Sequence, residues 1–440
     1  MGKNLRKFPI GGVHLPEEKF LTNEVPIEDM NPPEKVIIPV KQHIGAPSRT
    51  LVKKGQYVKK GECIAENDQG LSARIHASIS GEVVDIKEQE MVGGFTVESI
   101  VIARKGKEIE EVDYEPITDE SKITPELVRE RVEKAGVAGM GGACFPTHVK
   151  LNPPSDKPID TVIINGAECE PYITVDDRLM QEKAEELYQG LELIRITVGA
   201  EKGIVACEVN KPKALEILQE EAEKWQKLEA VPLDTRYPHG AEKHLIKAVL
   251  NREVPLRKLP MDVEVVVNNV QTAIAIKKAV YDGKPLISRV TTVSGRGVKS
   301  PKNLNIPFGT TVQDVMDYCG GVDTDRFIVI IGGPMTGFQI DNYTIPVDKG
   351  TTGIIILNEN EYEDSETRVC IRCGKCVNVC PMYLTPNRIV DYVNNDMYSE
   401  ADIIGINDCI ECGACAFACP SKRPLLRWIR EGKAALNEME

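Results

Sequence analysis

The chain has 440 residues, with 54 Lys and Arg against 67 Asp and Glu and a formal charge of −13. At roughly 100 to 200 residues per domain, that length implies three or four units and more than one hydrophobic core. With 42% apolar and 28% charged residues the composition is neither disordered nor membrane-embedded, and the acid excess leaves no positive field to gather nucleic-acid phosphates.

Taken from the N-terminus, the opening MGKNLRKFPI is too short and polar for a secretory leader, so a cytosolic protein is expected. Apolar runs such as Phe327 to Ile331 fall far short of the roughly 20 residues of a membrane span. Residues 1–30 read as an arm. Over 31–105, short β-branched runs (VIIPV, RTLVKKGQYV, ECIAEN, ARIHASIS, GEVVDIKE) are separated by Gly45, Gly55, Gly61, Gly70 and Gly81, the pattern of a small β unit. Those strings resemble the lipoyl- and biotinyl-type hammerhead. A carrier would expose a modified Lys between the two halves, but Asp68 to Ser72 (DQGLS) stands there, which points to a scaffold.

The charged stretch ARKGKEIEEVDYEP ends that unit. From Thr124-Pro125, a helix start with Pro at the first position, helical and strand patterns alternate through TPELVRERVEKAGV, TVIING, RLMQEKAEELYQGLELIRITVG, GIVACEVN and PKALEILQEEAEKWQKL. That alternation predicts parallel βαβ organisation with ligand loops at the strand carboxyl ends. Residues 263 to 345 return to short strands with a helix near Thr311 to Cys319. The acids from Asn358 to Thr367 (Glu359, Glu361, Glu363, Asp364, Glu366) form a tether.

Eight of the 13 Cys follow that tether, and clustered Cys in a cytosolic chain hold metal more often than they form disulfides. Cys370, Cys373, Cys376 and Cys380-Pro381 repeat the spacing of Cys409, Cys412, Cys415 and Cys419-Pro420. This is the run of two-cluster iron–sulfur proteins, in which the fourth Cys ligates the other cluster. Cys370, Cys373, Cys376 and Cys419 are therefore assigned to one [4Fe-4S] cluster, and Cys409, Cys412, Cys415 and Cys380 to the second. Structural zinc prefers paired Cys-x2-Cys units without a third Cys at that step. PNRIVDYVNNDMY and LLRWIREGKAAL have helical spacing, so a helical dicluster module is expected. Arg372, Lys375, Lys422 and Arg423 flank the ligands, as potential-tuning cations, solvated charge, or a dock for an acidic partner.

Gly136 to Thr147 (GVAGMGGACFPT) is dense in glycine, which lets backbone N–H groups face an anion, but it is not the dinucleotide fingerprint. After the strand TVIIN come Asn165, Glu168, Glu170 and Asp176-Asp177-Arg178, polar groups placed to meet a ribose or flavin edge. Cys144 and Cys169 read as buried small thiols near such a ligand, Cys63, Cys207 and Cys319 as core. The six His show no metal pairing.

GMGGACFPTHVKL and NGAECEPYITVDDR resemble motifs of the flavin- and NADH-binding subunit of respiratory complex I, roughly GRGGAGFPTGLKW and NADESEPGTFKDR. The resemblance continues through Tyr237 to Glu242 (YPHGAE, family YxxGEE), Asn268 to Thr272 (NNVQT, family CNVET) and TTVSGRGVKSPKNLNIPFGTTVQDVMDYCGG, similar to that family's β-grasp domain. LRKFPIGGVHLPEEK and the double Cys run together resemble the C subunit of the Rnf electron transport complex, the ion-translocating ferredoxin:NAD oxidoreductase.

That resemblance implies a multidomain α/β plus α+β chain. Its units are a barrel-sandwich (hammerhead-like) β unit over 31–105, a Rossmann-like FMN/NADH-binding domain over 112–260, a β-grasp (SLBB-type) domain over 261–357, and a helical di-[4Fe-4S] ferredoxin-like domain over 366–440. It also implies that Gly139, Gly141, Gly142, Phe145 and Thr147 line FMN and the dinucleotide phosphates, with Lys150 reaching a phosphate. Asn165, Glu168, Asn268 and Asn269 would hold the flavin, and Glu170, Gly240 and Glu242 would lie near the nicotinamide nucleotide. Ala167, Ala241 and Leu151 replace the family's Asp, Glu and Trp.

NADH yields a hydride and each cluster takes one electron, so a flavin that does both is required between them; no general acid or base is assigned. The implied role is a peripheral NAD(H)-reacting subunit at the cytoplasmic face of the membrane. Its implied partners are NADH, the membrane and other subunits of the Rnf-type complex, and a ferredoxin-like carrier. A soluble flavin iron–sulfur NADH reductase, such as a cobalamin reductase, and a non-catalytic electron-wiring subunit are the alternatives.

Overall fold

The computed structural model describes residues 5–67, 69–106, 109–362 and 366–439. Asp68 of the carrier-loop stretch, Lys107 and Glu108 of the charged linker, and Glu363 and Asp364 of the tether lie outside the described residues.

The first strands are β1 (Ile27–Asp29), β2 (Lys35–Pro39), β3 (Arg49–Thr50), β4 (Tyr57–Val58), β5 (Cys63–Glu66), β6 (Ile75–His76), β7 (Gly81–Glu90) and β8 (Thr96–Ala103). All but β1 form two antiparallel sheets, ordered β2-β8-β7-β4 and β3-β5-β6. Alternation decides which side chains turn inward. Val36 and Ile38 lie opposite Ile102 and Ile100, and all four enter one core with Ile64, Ile75 and Val83. This is the expected barrel-sandwich unit.

The next unit contains α1 (Pro125–Lys134), α2 (Thr147–Lys150), β9 (Thr161–Gly166), α3 (Val175–Glu182), α4 (Ala184–Val198), β10 (Lys202–Glu208), α5 (Pro212–Ala222), β11 (Leu228–Leu233), α6 (Glu242–Leu250), β12 (Val265–Asn269) and α7 (Val270–Tyr281). Thr124 caps α1, its hydroxyl accepting from Leu127 N at 3.3 Å. The strands form a parallel sheet in the order β11-β10-β9-β12. Both faces are covered, which is why TVII shows no polar alternation: Val162 and Ile164 enter one core and Ile163 the other.

Two features differ from the reading of the sequence. The single helix expected from Arg178 to Val198 breaks at Lys183, where φ is −135°. α3 packs near the loop after β9 while α4 lies on α7, so close that a Cβ on Gly190 would overlap Ala273 O. One straight rod cannot do both. α7, from the stretch read as short strands, buries nine of its twelve residues. A helix this extensively buried carries little amphipathic period to read.

A six-stranded mixed sheet follows, from β13 (Ser288–Ser294), β14 (Lys302–Pro307), β15 (Phe327–Ile331), β16 (Phe338–Ile340) and β17 (Gly353–Asn358), with α8 (Val312–Tyr318) on it. The order β1-β14-β13-β17-β15-β16 places β1 of the arm at its edge, parallel to β14. Beyond the tether, the described residues form α9 (Lys375–Asn378), α10 (Pro386–Val393), α11 (Tyr398–Ile403), α12 (Ala414–Phe417) and α13 (Leu425–Met439) and no strand. Ile389, Val390, Val393, Leu425 and Ile429 make their core.

The three upstream units meet at Lys349, which is fully buried. Its ammonium donates to Arg74 O at 2.8 Å in the barrel-sandwich unit and to Gly136 O at 2.7 Å just past α1. Its amide donates to the Gln42 side chain at 3.2 Å. Burial lowers this ammonium from 10.5 to about 7. Between those values the unfolded chain binds a proton that the folded chain does not, so this group makes stability rise with pH across that window. Lys349→Met is expected to flatten that rise, measured as the thermal midpoint against pH.

Candidate functional site

The two Cys runs fold as a repeat. Each uses a left-handed residue and then a left-handed glycine, Arg372 and Gly374 or Glu411 and Gly413, to curl the chain before a short helix. Cys370, Cys373, Cys376 and Cys419 line one cage, beside Arg372 and Arg423. Cys380, Cys409, Cys412 and Cys415 line the other. The fourth Cys of each run thus sits in the other run's cage. The first cage is open to solvent, with Cys370 and Cys373 exposed; the second is deeper, with Cys415 buried.

Soft thiols are the donors that select iron–sulfur clusters. They surround a void rather than a point: among the described residues no three His, Cys, Asp or Glu side chains converge on a single metal ion. Arg423 lies over the Trp428 ring and 3.5 Å from Asp391.

A cavity of about 640 Å³ opens at the carboxyl ends of β9 and β12, a volume in the roughly 300–1,000 Å³ range of ligand sites. Strand order reverses here, with Asn165 paired in register with Asn269, and open α/β sheets bind ligands at such a switch point. Gly141, Gly142, Asn165, Glu168, Glu170, Gly240 and Asn269 border it. Gly142 has φ +116°, and a Cβ there would meet nothing within 4 Å, so the loop offers bare backbone to a ligand.

Gly139, Phe145, Thr147, Lys150, Glu242 and Asn268 lie behind that surface. Gly139 N donates to Phe145 O at 2.9 Å and closes the Gly-rich loop. Thr147 is buried at the start of α2. Lys150 donates to Val267 O at 2.8 Å and lies 3.7 Å from the Glu242 carboxylate. Asn268 is buried, and its Nδ2 and the Thr147 hydroxyl have no hydrogen-bond partner among the described residues.

The polar residues of the rim hold one another. Asn165 donates to Gly240 O at 2.8 Å, and Asn269 to Asp176 at 2.7 Å. The Glu168 carboxylate accepts from Asp176 N at 2.5 Å and Asp177 N at 3.3 Å, at the start of α3. That of Glu170 accepts from Met335 N at 3.0 Å and the Thr336 hydroxyl at 2.6 Å, linking the parallel-sheet unit to the β-grasp loop. Burial pushes the Glu168 and Glu170 carboxyls up and Asp176 to about 6. Cys144 and Cys169 also border the cavity, their thiols pushed up to about 12 by burial. Cys207 and Cys319 are buried and Cys63 half-buried.

Three residues of this site, Lys19, Lys211 and Arg289, carry almost no local signal. Lys19, the last residue of the arm motif, donates to Glu168 O and Glu170 O at 2.9 Å each and to Ile173 O at 2.5 Å. Lys211 donates to Ala167 O at 2.6 Å and lies 3.3 Å from Glu208. Arg289 borders the cavity although only 1% exposed, and its guanidinium donates to Met140 O at 3.2 Å and to Lys349 O. A lone Arg in the strand SRVTTVS was the one available hint. Cys412 borders both the deeper cage and the cavity.

The comparisons with known proteins agree with this layout. A model of the Nuo51 FMN-binding domain matches residues 132–278, and one of the RnfC barrel sandwich hybrid domain residues 7–107. Models of the SLBB domain and the 4Fe-4S dicluster domain match residues 290–339 and 362–420. FMN and two [4Fe-4S] clusters are therefore the cofactors of this chain, and the bare-backbone loop and thiol cages fit them.

Among relatives, the C subunit of the proton-translocating ferredoxin:NAD(+) oxidoreductase complex of Clostridium ljungdahlii is 47% identical over 96% of this chain and 92% of that one. The C subunit of the Na(+)-translocating ferredoxin:NAD(+) oxidoreductase complex of Acetobacterium woodii is 43% identical over 96% of each. Among solved structures, NAD+-reducing [NiFe]-hydrogenase in the air-oxidized state is 22% identical with a TM-score of 0.49, over 62% of this chain and 53% of that one. On identity and coverage, this chain belongs to the family of C subunits of the ion-translocating ferredoxin:NAD oxidoreductase (Rnf) complexes.

Proposed function

We propose that this chain is the NAD(H)-reacting subunit of a membrane-bound, ion-translocating ferredoxin:NAD oxidoreductase, an enzyme subunit that passes electrons between NAD(H), FMN and two [4Fe-4S] clusters. The observation that carries this reading is one cavity bordered both by Gly141 and Gly142 and by Cys412 of the deeper cage. When bound, FMN exchanges a two-electron hydride for single electrons, which clusters accept singly.

The chain's own groups hold and orient. Gly141 and Gly142 present backbone to the flavin and dinucleotide, while Asn165, Glu168, Glu170, Gly240 and Asn269 shape the opposite wall. Gly139, Phe145, Thr147, Lys150, Glu242 and Asn268 brace these two surfaces from behind. Arg289, whose hydrogen bonds among the described residues all go to main-chain oxygens, offers its charge to a phosphate. The deeper cage faces this cavity and the open cage faces solvent, where a ferredoxin-like carrier or ferredoxin-type subunit would meet it. We place the chain at the cytoplasmic face, held by the membrane subunits of the complex; among the described residues no helix is long and apolar enough to cross a membrane.

Three measurements test these assignments. Cys419→Ala is expected to lower iron from about eight to about four per chain by emptying the open cage, and Cys380→Ala to do so by emptying the deeper one; loss of the same EPR signal in both would refute the exchanged ligands. On anaerobic mixing with NADH, Cys412→Ala should leave flavin bleaching intact and impair cluster reduction, whereas loss of both counts against the function. Arg289→Met should weaken FMN binding by about tenfold or more, as for a lost charged hydrogen bond. Riboflavin, which lacks the phosphate, should bind both forms alike in a fluorescence titration.

A further inference from the structure

The arm motif LRKFPIGGVHLPEEK finds no role in the chemistry above, yet its path is specific. Arg6 and Phe8 fasten it to the end of β11 and the residue after it: Arg6 N donates to Pro232 O, and Phe8 N to the Asp234 carboxylate at 2.7 Å. Gly11 O accepts from Arg236 Nε at 3.2 Å and from the same guanidinium again at 2.9 Å. Gly12 N donates to Val379 O at 2.9 Å, and Val13 exchanges both backbone hydrogen bonds with Tyr237, at 2.8 and 3.0 Å.

Cys380, a thiol of the deeper cage, is thereby held from both sides. Val379 O before it takes the Gly12 amide, and Pro381 O after it lies 3.0 Å from His244 Nε2. The His244 ring stacks on Phe8 at 5.3 Å. A second thiol residue of that cage, Cys412, gives its carbonyl to the Tyr237 hydroxyl at 2.6 Å. Val13, Tyr237 and Ala414 close a small buried apolar cluster there. Farther along the arm, Lys19 holds the loop of the cavity by three carbonyls.

We propose that residues 6–19 are a strap that fixes the deeper cage against the cavity, with Gly11 and Gly12 as its positioning residues for electron transfer between them. Both glycines have positive φ, +68° and +69°. A Cβ on Gly11 would lie 3.0 Å from Cys380 O and one on Gly12 would overlap Tyr237 O, so any side chain there lifts the strap from what it holds. Electron transfer falls steeply with separation, which makes this spacing a property to be held rigid.

The inference rests on the electron path proposed above, and its test separates the two. Full-length, flavin- and cluster-loaded Gly12→Ala is mixed anaerobically with NADH. Flavin bleaching should keep its rate while cluster reduction slows about tenfold or more, as small misplacements cost, with iron content unchanged. Hydrogen exchange at the Val13 and Tyr237 amides should rise. Arg236→Met, which removes the side-chain bonds to Gly11 O, Gly12 O and the His14 ring of the same strap, should act in the same direction and covers the case in which Gly12→Ala does not fold. Unslowed cluster reduction in the folded variants, or unchanged exchange, overturns the strap. If NADH fails to bleach the flavin of the unsubstituted protein, the function falls, and the exchange result alone then decides the strap: raised supports it, unchanged refutes it.

Discussion

Two buried ammonium groups hold the loop after β9 by its carbonyl oxygens, and the site depends on that grip. Lys19 takes the carbonyls of Glu168, Glu170 and Ile173, and Lys211 that of Ala167. A charged donor buried this deeply is tolerated because its hydrogen bonds are made and carboxylates stand close, Glu168 at 3.9 Å from Lys19 and Glu208 at 3.3 Å from Lys211. With its carbonyls occupied, the loop keeps Glu168 and Glu170 at the border of the cavity, beside Asn165 at the end of β9.

The same economy governs the dicluster module. A left-handed glycine at the same step of each run, Gly374 or Gly413, closes the chain around three thiols, and the fourth thiol comes from the other run. Neither cage is complete on one run alone, so the two must fold together. Gly413 has a second constraint, because a Cβ there would lie 2.6 Å from Met335 O of the β-grasp loop. Arg430 of α13 donates to Thr336 O beside it at 2.8 Å. Glu170 grips that loop from the other side, so the module, the β-grasp sheet and the parallel sheet share one short segment.

Much of this architecture is legible in the residues alone. The β-branched runs of the barrel-sandwich unit, the capped helix at Thr124 and the helical cluster module follow from periodicity and turn residues. What escapes does so for identifiable reasons. α7 buries all but Lys277, Lys278 and Tyr281 and shows little period, and the break at Lys183 reflects two packing partners far apart in sequence. Lys150 reads as a phosphate ligand from its motif, but in the fold its ammonium donates to Val267 O and lies beside Glu242.

The sequence by itself determined the chemistry: soft thiols at a repeated spacing admit few metals, and glycines clustered beside strand-end polar groups leave backbone free for a nucleotide. Only the tertiary structure decided which groups share a surface. Lys19 reaches Glu168 across 149 positions and Tyr237 reaches Cys412 across 175. Hydrogen bonds that short between residues that distant come from how four packed units close on one another, which no local pattern encodes.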